Sequence, residues 1–174
     1  MVVEPTPIDY TNNLYLVVYL KLLVTTIVSH YRRGKMLLVL IRHGIAEEIS
    51  INKDDRLRNL TQDGVEKFSC EVAGLLPLLS NQGKPEIWYS PANRTMQTAQ
   101  ILHMAIPGSI FKEMDFIAYN DFDGFVRNFK DSDLPEVLII VGHEPGMSVW
   151  SRKISGCSIR FSKGSCAGFK IKDF

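Results

Sequence analysis

Residues 36–44, which read MLLVLIRHG, decide the predicted fold. The first six are all apolar, as expected for a strand in the middle of a parallel sheet, because helices cover both faces of such a strand. An arginine, a histidine and a glycine follow immediately, at the carboxyl end of the predicted strand. Ligands bind beyond the carboxyl ends of the strands in open α/β sheets, so these three residues mark a candidate site.

Two further apolar runs end in the same way. Residues 86–89 (EIWY) lead into SPANR at 90–94, and residues 136–141 (EVLIIV) lead directly into GHE. If the three strands are parallel, their carboxyl ends meet at one edge of the sheet. That edge then holds two arginines and two histidines that are far apart in sequence: Arg42, His43, Arg94 and His143.

Helical patterns lie between the predicted strands. Thr61 is a candidate cap for a helix over 62–79, and Pro91 is placed as the first-turn proline of a helix reaching residue 104. The weaker predicted elements are a strand at 111–117, a helix from Asp121 or Asp123 to 129, a brief helix from about Gly146, and a closing pair of strands at 158–161 and 167–171. Strands alternating with helices predict a single doubly wound α/β domain, with a mostly parallel central sheet flanked by helices.

The first 35 residues differ from the rest of the chain. Residues 14–28 (LYLVVYLKLLVTTIV) are apolar except for Lys21. A transmembrane helix needs about 20 apolar residues, and a lysine at its centre costs about 3 kcal/mol on insertion scales. We therefore predict a domain at 36–174, preceded by an extension of doubtful role at 1–35.

Three interpretations of the extension are open. The favoured one is an upstream stretch that is not part of the protein, with Met36 as the true start. The second is a peripheral helix that packs on the domain or on a partner. The third is a weak membrane anchor through 14–28, which the central lysine disfavours. All three leave the domain in the cytoplasm.

The composition argues against several functional classes. The chain has 20 Lys and Arg against 19 Asp and Glu, a formal net charge of +1. It lacks the basic excess of a nucleic-acid-binding protein, so no nucleic acid partner is expected. Its cysteines form no CxxC pair, which favours a reduced chain over a disulfide scaffold. No grouping of His, Cys and Asp has the spacing of a zinc site, and no structural metal is expected.

A pair of arginines beside a pair of histidines suits a tetrahedral oxyanion. Arginine stays charged and offers a planar fork of donors, so two arginines hold several phosphate oxygens at once. A histidine acts as a nucleophile when its attacking nitrogen is unprotonated, and neighbouring arginines favour that state by lowering its pKa. Gly44 allows the backbone to approach the phosphate closely. The predicted chemistry is phosphoryl transfer.

Four motifs, in one order along the chain, resemble those of the histidine phosphatase superfamily, also called the phosphoglycerate mutase-like fold. They are LVLIRHGIAEE at 38–48, RNLTQDG at 58–64, YSPANRTMQTA at 89–99 and VLIIVGHEPGMS at 137–148. Within that superfamily they resemble the small SixA-type branch of phosphohistidine phosphatases. The resemblance covers residues 36–174.

The resemblance implies a role for each matching residue. His43 is the nucleophile that becomes phosphorylated. The rest of the phosphate pocket is formed by Arg42, Arg94 and His143. Arg58 lies near the mouth of the site, with Arg56 as its substitute if the loop is shifted. The family uses neither a metal nor an organic cofactor.

One departure from the family concerns the general acid. Larger members carry a carboxylic acid that protonates the leaving oxygen, but the first motif here reads RHGIA instead of the RHGE of the mutases. Candidate acids are Glu113 and Asp115, in the loosely matched stretch 113–123. The nitrogen of a phosphohistidine needs less help than an alkoxide, for which protonation is worth about 10²–10⁴ in rate. Weak acid support therefore favours a phosphohistidine substrate.

The predicted function is accordingly that of a protein phosphohistidine phosphatase of the SixA type, acting on a signalling protein through a covalent phosphohistidine at His43. The first alternative is a general phosphomonoesterase or mutase that acts on a small phosphorylated metabolite. A second is a non-catalytic module that binds phosphate or a phosphopeptide, against which the intact His43 and His143 argue. A third is a membrane-tethered adaptor that uses residues 14–28.

Overall fold

The computed structural model describes residues 17–19, 35–52, 54–79, 83–131 and 135–172. The strands within these residues are Val17–Tyr19 (β1), Lys35–Arg42 (β2), Glu86–Tyr89 (β3), Ile110–Glu113 (β4), Val137–Gly142 (β5) and Cys166–Lys172 (β6). They form one sheet in the order β1-β6-β2-β5-β3-β4. Strands β2, β5, β3 and β4 are mutually parallel, whereas β6 runs antiparallel to β2 and parallel to β1.

Helices cover both faces of this sheet. In the described residues they are a 3-10 turn at Asp55–Leu57, followed by Gln62–Leu79 (α1), Asn93–Ala105 (α2), Asp115–Ala118 (α3), Phe122–Asp131 (α4) and Gly146–Ser155 (α5). Helices α1 and α2 pack into the core on one face, and α3, α4 and α5 pack into the core on the other. The predicted doubly wound α/β domain with a mostly parallel sheet is confirmed.

Helix α1 forms as its sequence predicts. The Thr61 hydroxyl accepts a hydrogen bond from the Gly64 amide at 3.0 Å, which satisfies one of the free donors of the first turn. The apolar positions then recur every three or four residues and bury one side of the helix, with Phe68, Val72 and Leu75 each about 3% exposed. This side packs on β2 and β5 and leaves the polar side in solvent.

Two predicted elements are wrong in their extent. The strand predicted at 111–117 ends at Glu113, and α3 begins two residues later. Residues 158–161 form no strand, so β6 has no hairpin partner in that stretch. The reason lies in side-chain hydrogen bonds. The Phe161 amide donates to the Glu144 carboxylate, and its carbonyl accepts from Arg42, so neither group is left for a strand partner.

Two predicted helix starts have different outcomes. Pro91 does not lie in the first turn of α2, because the helix begins at Asn93 and Ala92 is its N-cap. Asp121 does begin α4, because its carboxylate accepts a hydrogen bond from the Gly124 amide at 2.8 Å. The second proposed start, Asp123, lies inside the first turn of the same helix.

The N-terminal extension is described at two places. Val17–Tyr19 form β1 at one edge of the sheet, and Lys35 begins β2. The other residues of the predicted extension, including most of the apolar run 14–28, lie outside the described residues, and its role stays a prediction. Among the described residues, no helix is long and apolar enough to cross a membrane.

Candidate active site

The two predicted histidines lie side by side at the carboxyl edge of the sheet. Arg42 ends β2 and pairs in register with Gly142, which ends β5, so the residue after each strand is His43 or His143. The His43 amide donates to the Gly142 carbonyl at 3.0 Å. The ring centroids of the two histidines are 5.3 Å apart and the rings meet at 61°. The sheet thus brings together two residues that are 100 positions apart in sequence.

The protonation of His43 is set by its own backbone. Its Nδ1 lies 2.7 Å from the Gly44 carbonyl oxygen, which is only an acceptor, so Nδ1 carries the proton and Nε2 carries the lone pair. The pKa of His43 is lowered to about 3, mainly by burial; the Gly44 hydrogen bond opposes this shift, and the charges of His143, Arg94 and Arg42 add to it. At neutral pH the ring is uncharged, and Nε2 has the form a nucleophile requires.

Gly44 packs closely against the start of α1 and bonds to α2. Its amide donates to the Thr98 hydroxyl at 3.1 Å. A Cβ at this position would lie 3.3 Å from a methyl carbon of Leu60 and 3.4 Å from the carbonyl oxygen of Gly64. A side chain at position 44 would therefore require Leu60 to shift by a few tenths of an ångström. The predicted contact of Gly44 with phosphate stays a prediction.

His143 is held by a serine to which the sequence analysis gave no role. Its Nε2 lies 2.9 Å from the hydroxyl of Ser90, which directly follows β3 and is completely buried. Its Nδ1 is buried without a hydrogen-bond partner in the described part of the chain. Burial lowers the pKa of His143 to about 4, with Arg94 as the next cause. The signal in the sequence was the position of Ser90 at the end of a buried strand.

Arg94 and Arg58 share a carboxylate that the sequence analysis missed. Arg94 lies in the first turn of α2, is 7% exposed, and donates to the Asp55 carbonyl at 2.7 Å and to its carboxylate at 2.8 Å. Arg58 donates to the other carboxylate oxygen of Asp55 at 2.8 Å and to the Glu47 carbonyl at 2.6 Å. Asp55 therefore joins the two arginines at the mouth of the site.

The charge of Asp55 is stabilised by those arginines. Burial alone would raise its pKa, but the hydrogen bond from Arg58 and the charges of Arg94 and Arg58 outweigh burial and lower it. Asp55 is consequently ionised at neutral pH. Guanidinium groups offer five N–H donors each, so Arg94 keeps donors beyond the two that bind Asp55, which fixes its orientation.

Arg42 is oriented by the loop before β6. Its guanidinium donates to the Phe161 carbonyl at 2.8 Å, and its Nε is buried without a partner in the described residues. Phe161 is in turn held by the Glu144 carboxylate, which accepts from its amide at 2.8 Å and from the Ser148 hydroxyl at 2.5 Å. Glu144 is thus connected to Arg42 through the amide and the carbonyl of Phe161.

No family model and no curated protein matches the chain. Solved structures do match. A SixA phosphohistidine phosphatase from Nakamurella multipartitia has a TM-score of 0.61 and 22% identity over 79% of this chain and 85% of its own. The protein histidine phosphatase SixA complexed with tungstate has a TM-score of 0.60 and 15% identity over 80% and 95%.

A third match carries a different activity. It is an α-ribazole-5′-P phosphatase from Escherichia coli, with a TM-score of 0.59 and 14% identity over 78% of this chain and 90% of its own. All three matches belong to one fold. The chain has the histidine phosphatase fold.

Two of the remaining sequence candidates separate clearly within this histidine phosphatase fold. Arg58 has a side chain only 14% exposed and shares Asp55 with Arg94, whereas Arg56 is 73% exposed and pairs with Asp54. The structure therefore brings Arg58 to the site and leaves Arg56 at the surface.

Glu113 makes no hydrogen bond to either histidine in the described part of the chain. It ends β4, the edge strand, and strands β3 and β5 lie between β4 and β2. Three strand spacings separate its backbone from β2 by roughly 14 Å. The described residues contain no group of three or more His, Cys, Asp or Glu side chains that is arranged to hold a metal ion.

Proposed function

We propose that this protein is a phosphatase that removes the phosphoryl group from a phosphohistidine on a protein, through a covalent phosphohistidine on its own His43. One observation carries the proposal. The hydrogen bond from His43 Nδ1 to the Gly44 carbonyl leaves Nε2 unprotonated, beside a second histidine and a cluster of arginines. That combination is what phosphoryl transfer to a histidine requires.

The first step transfers the phosphoryl group to His43. The donors of Arg42 and Arg94 bind its oxygens, and Nε2 attacks phosphorus in line with the leaving nitrogen. The new N–P bond forms as the old one breaks. A substrate imidazole that is protonated on its other nitrogen departs as a neutral ring, so the enzyme supplies no proton to it.

His143 contributes a neutral donor in this mechanism. When Nε2 of His143 accepts a hydrogen bond from the Ser90 hydroxyl, the neutral ring carries its own proton on Nδ1. This is the atom that is buried and unpartnered among the described residues. With a pKa of about 4, His143 donates this hydrogen bond without a net charge at neutral pH. It stabilises the negative charge that spreads over the equatorial oxygens.

The second step returns His43 to its starting state. Water attacks the phosphorus of the phosphorylated His43, the N–P bond breaks, and inorganic phosphate leaves. The imidazole nitrogen is released as the neutral Nε2, and the protons of water remain with phosphate or pass to solvent. The Gly44 carbonyl keeps the proton on Nδ1 through both steps.

The carboxylates of the site support a nitrogen leaving group. Asp55 contacts the phosphate-binding Arg94, but its lowered pKa makes it a poor proton donor. The backbone of Glu113 lies roughly 14 Å from β2, across three strand spacings, and its carboxylate has no hydrogen bond to a site histidine among the described residues. An alkoxide leaving group depends on a proton donor for about 10²–10⁴ in rate. The site is thus better suited to phosphohistidine than to sugar phosphates.

The alternative function is hydrolysis of a small phosphorylated metabolite. The likeness to an α-ribazole-5′-P phosphatase favours it, since that protein has the same fold. A non-catalytic phosphate-binding module is disfavoured, because such a module has no need for a histidine whose pKa is lowered to about 3. A mutase would pass the phosphoryl group to a second hydroxyl instead of to water.

The test compares the full chain with its His43→Ala variant, with EDTA present, on p-nitrophenyl phosphate and on a protein phosphorylated on histidine. His103→Ala is the matched control, because His103 is exposed and its Nδ1 bonds only to the Ser109 hydroxyl. We expect activity in the wild type and in the control, none in His43→Ala, and a base-stable, acid-labile phosphoenzyme in the wild type alone.

The ratio of the two substrates decides between the functions. Faster turnover of the phosphohistidine protein supports the proposal, whereas turnover of metabolite phosphates with none of the protein would overturn it. Equal activity in the wild type and in His43→Ala would refute the nucleophile. Transfer of the label to an added alcohol instead of water would assign a mutase.

A further inference from the structure

A cleft adjoins the residues that we propose bind phosphate. It has a volume of about 440 Å³, and Arg42, Glu144, Arg160 and Ser162 are among the residues that line it. Small-molecule sites in proteins are usually clefts of roughly 300–1,000 Å³, so this one is large enough for part of a substrate. Because Arg42 lines the cleft and also lies in the proposed phosphate pocket, a substrate can occupy both at once.

The residues that line the cleft carry a net positive charge. Arg160 is exposed and makes no hydrogen bond or ion pair with any other described residue. The carboxylate that lines the cleft, Glu144, keeps its charge but is already held by three donors: the Ser148 hydroxyl, the Ser148 amide and the Phe161 amide. The charges of Arg42 and Arg160 together outweigh the charge of Glu144, so the cleft favours an anion.

We propose that Arg160 binds a second anionic group of the substrate, a carboxylate carried next to the phosphorylated histidine. The planar fork of a guanidinium matches a carboxylate with two parallel hydrogen bonds, which is the geometry an exposed and unpaired arginine provides. The substrate class is then a phosphohistidine protein with an aspartate or glutamate beside the modified residue. This inference rests on the proposed function for its substrate, though not for the presence of the anion site.

Arg160 also has a fixed position relative to the nucleophile. It directly precedes Phe161, whose carbonyl holds Arg42 and whose amide is held by Glu144. The backbone of this loop is therefore tied to the residue before His43. A carboxylate bound by Arg160 sets the distance between the cleft and the phosphoryl group, and so selects among phosphohistidine proteins.

The first test measures binding and does not depend on catalysis. Dissociation constants of methylphosphonate, phosphonoacetate, 3-phosphonopropionate and 4-phosphonobutyrate are determined by calorimetry at low salt. The variants are wild type, Arg160→Ala and the matched control Arg152→Ala. Arg152 is an exposed arginine on α5, one turn after Ser148, and it does not line the cleft. It thus controls for the general loss of one positive charge on this side of the molecule.

We expect at least one carboxyphosphonate to bind wild type and Arg152→Ala about tenfold more tightly than methylphosphonate, the size of a bidentate, charge-assisted hydrogen-bonded pair. In Arg160→Ala that ratio falls to about one. A ratio near one in the wild type, or the same ratio in Arg160→Ala as in the wild type, overturns the inference.

The second test uses hydrolysis of a phosphohistidine protein with an acidic neighbour and of its variant with the neighbour changed to the amide. Arg160→Ala should raise the KM for the protein with the acidic neighbour about tenfold. In this variant the KM values for the two substrate proteins should be nearly equal. A larger increase of KM in Arg160→Ala than in Arg152→Ala supports the inference, and equal increases in the two variants overturn it. If the wild type hydrolyses neither substrate yet prefers carboxyphosphonates, the proposed function fails and the anion site stands.

Discussion

Replacing Glu144 should disturb Arg42 without touching the site itself. Glu144 accepts three hydrogen bonds, from the Ser148 amide, the Ser148 hydroxyl and the Phe161 amide, and of these donors only the hydroxyl has an alternative acceptor, the Ile159 carbonyl. Phe161 is 2% exposed. Leaving a buried amide without an acceptor costs about 1–3 kcal/mol, so Glu144→Ala should lower Tm by about 5 °C in a chain of this length.

The effect on catalysis should exceed this loss of stability. The Phe161 carbonyl orients the guanidinium of Arg42, and a misplaced charged donor costs about 10–100-fold in rate. We expect kcat for p-nitrophenyl phosphate to fall by that factor in Glu144→Ala. In Glu144→Gln the amide oxygen still accepts from Phe161, so most of the activity should return.

The assay pairs steady-state kinetics with thermal unfolding. Val72→Ala is the control, because Val72 lies on the buried side of α1, is not one of the site residues, and its truncation costs a similar amount of stability. The reasoning is refuted if Glu144→Ala loses stability but keeps the kcat of the wild type, or if Val72→Ala loses as much kcat as Glu144→Ala.

Three further predictions follow from the same contacts. Gly64→Ala should cost more than about 3 kcal/mol, because its Cβ would overlap the carbonyl oxygen of Ile45, and a melting curve lowered by less than 5 °C would contradict it. Ser90→Ala should lower kcat about tenfold and shift the tautomer of His143, which ¹⁵N spectra of its ring report. Unfolding in urea should show stability falling as pH drops below about 6.5, since the unfolded histidines take up protons that folded His43 and His143, with pKa values of about 3 and 4, do not. The loss is up to about 1.4 kcal/mol per pH unit for each, and His43→Asn should flatten the slope.

The sequence by itself determined the sheet and the convergence of the histidines. Six consecutive apolar residues form a strand that is covered on both faces, and such strands lie parallel with their carboxyl ends at one edge. Whatever follows them must then meet there, which is why His43 and His143 were predictable from their positions alone. Local signals sufficed for the cap at Thr61 and for the buried side of α1.

Only the tertiary structure decided which groups orient the site. Asp55 bonds to Arg94 across 39 positions, Ser90 to His143 across 53, and Arg42 to Phe161 across 119. No periodicity or local spacing encodes such bonds, because they depend on the placement of loops after the sheet has formed. The same reason accounts for the missing strand at 158–161, where distant side chains bond to the backbone of Phe161.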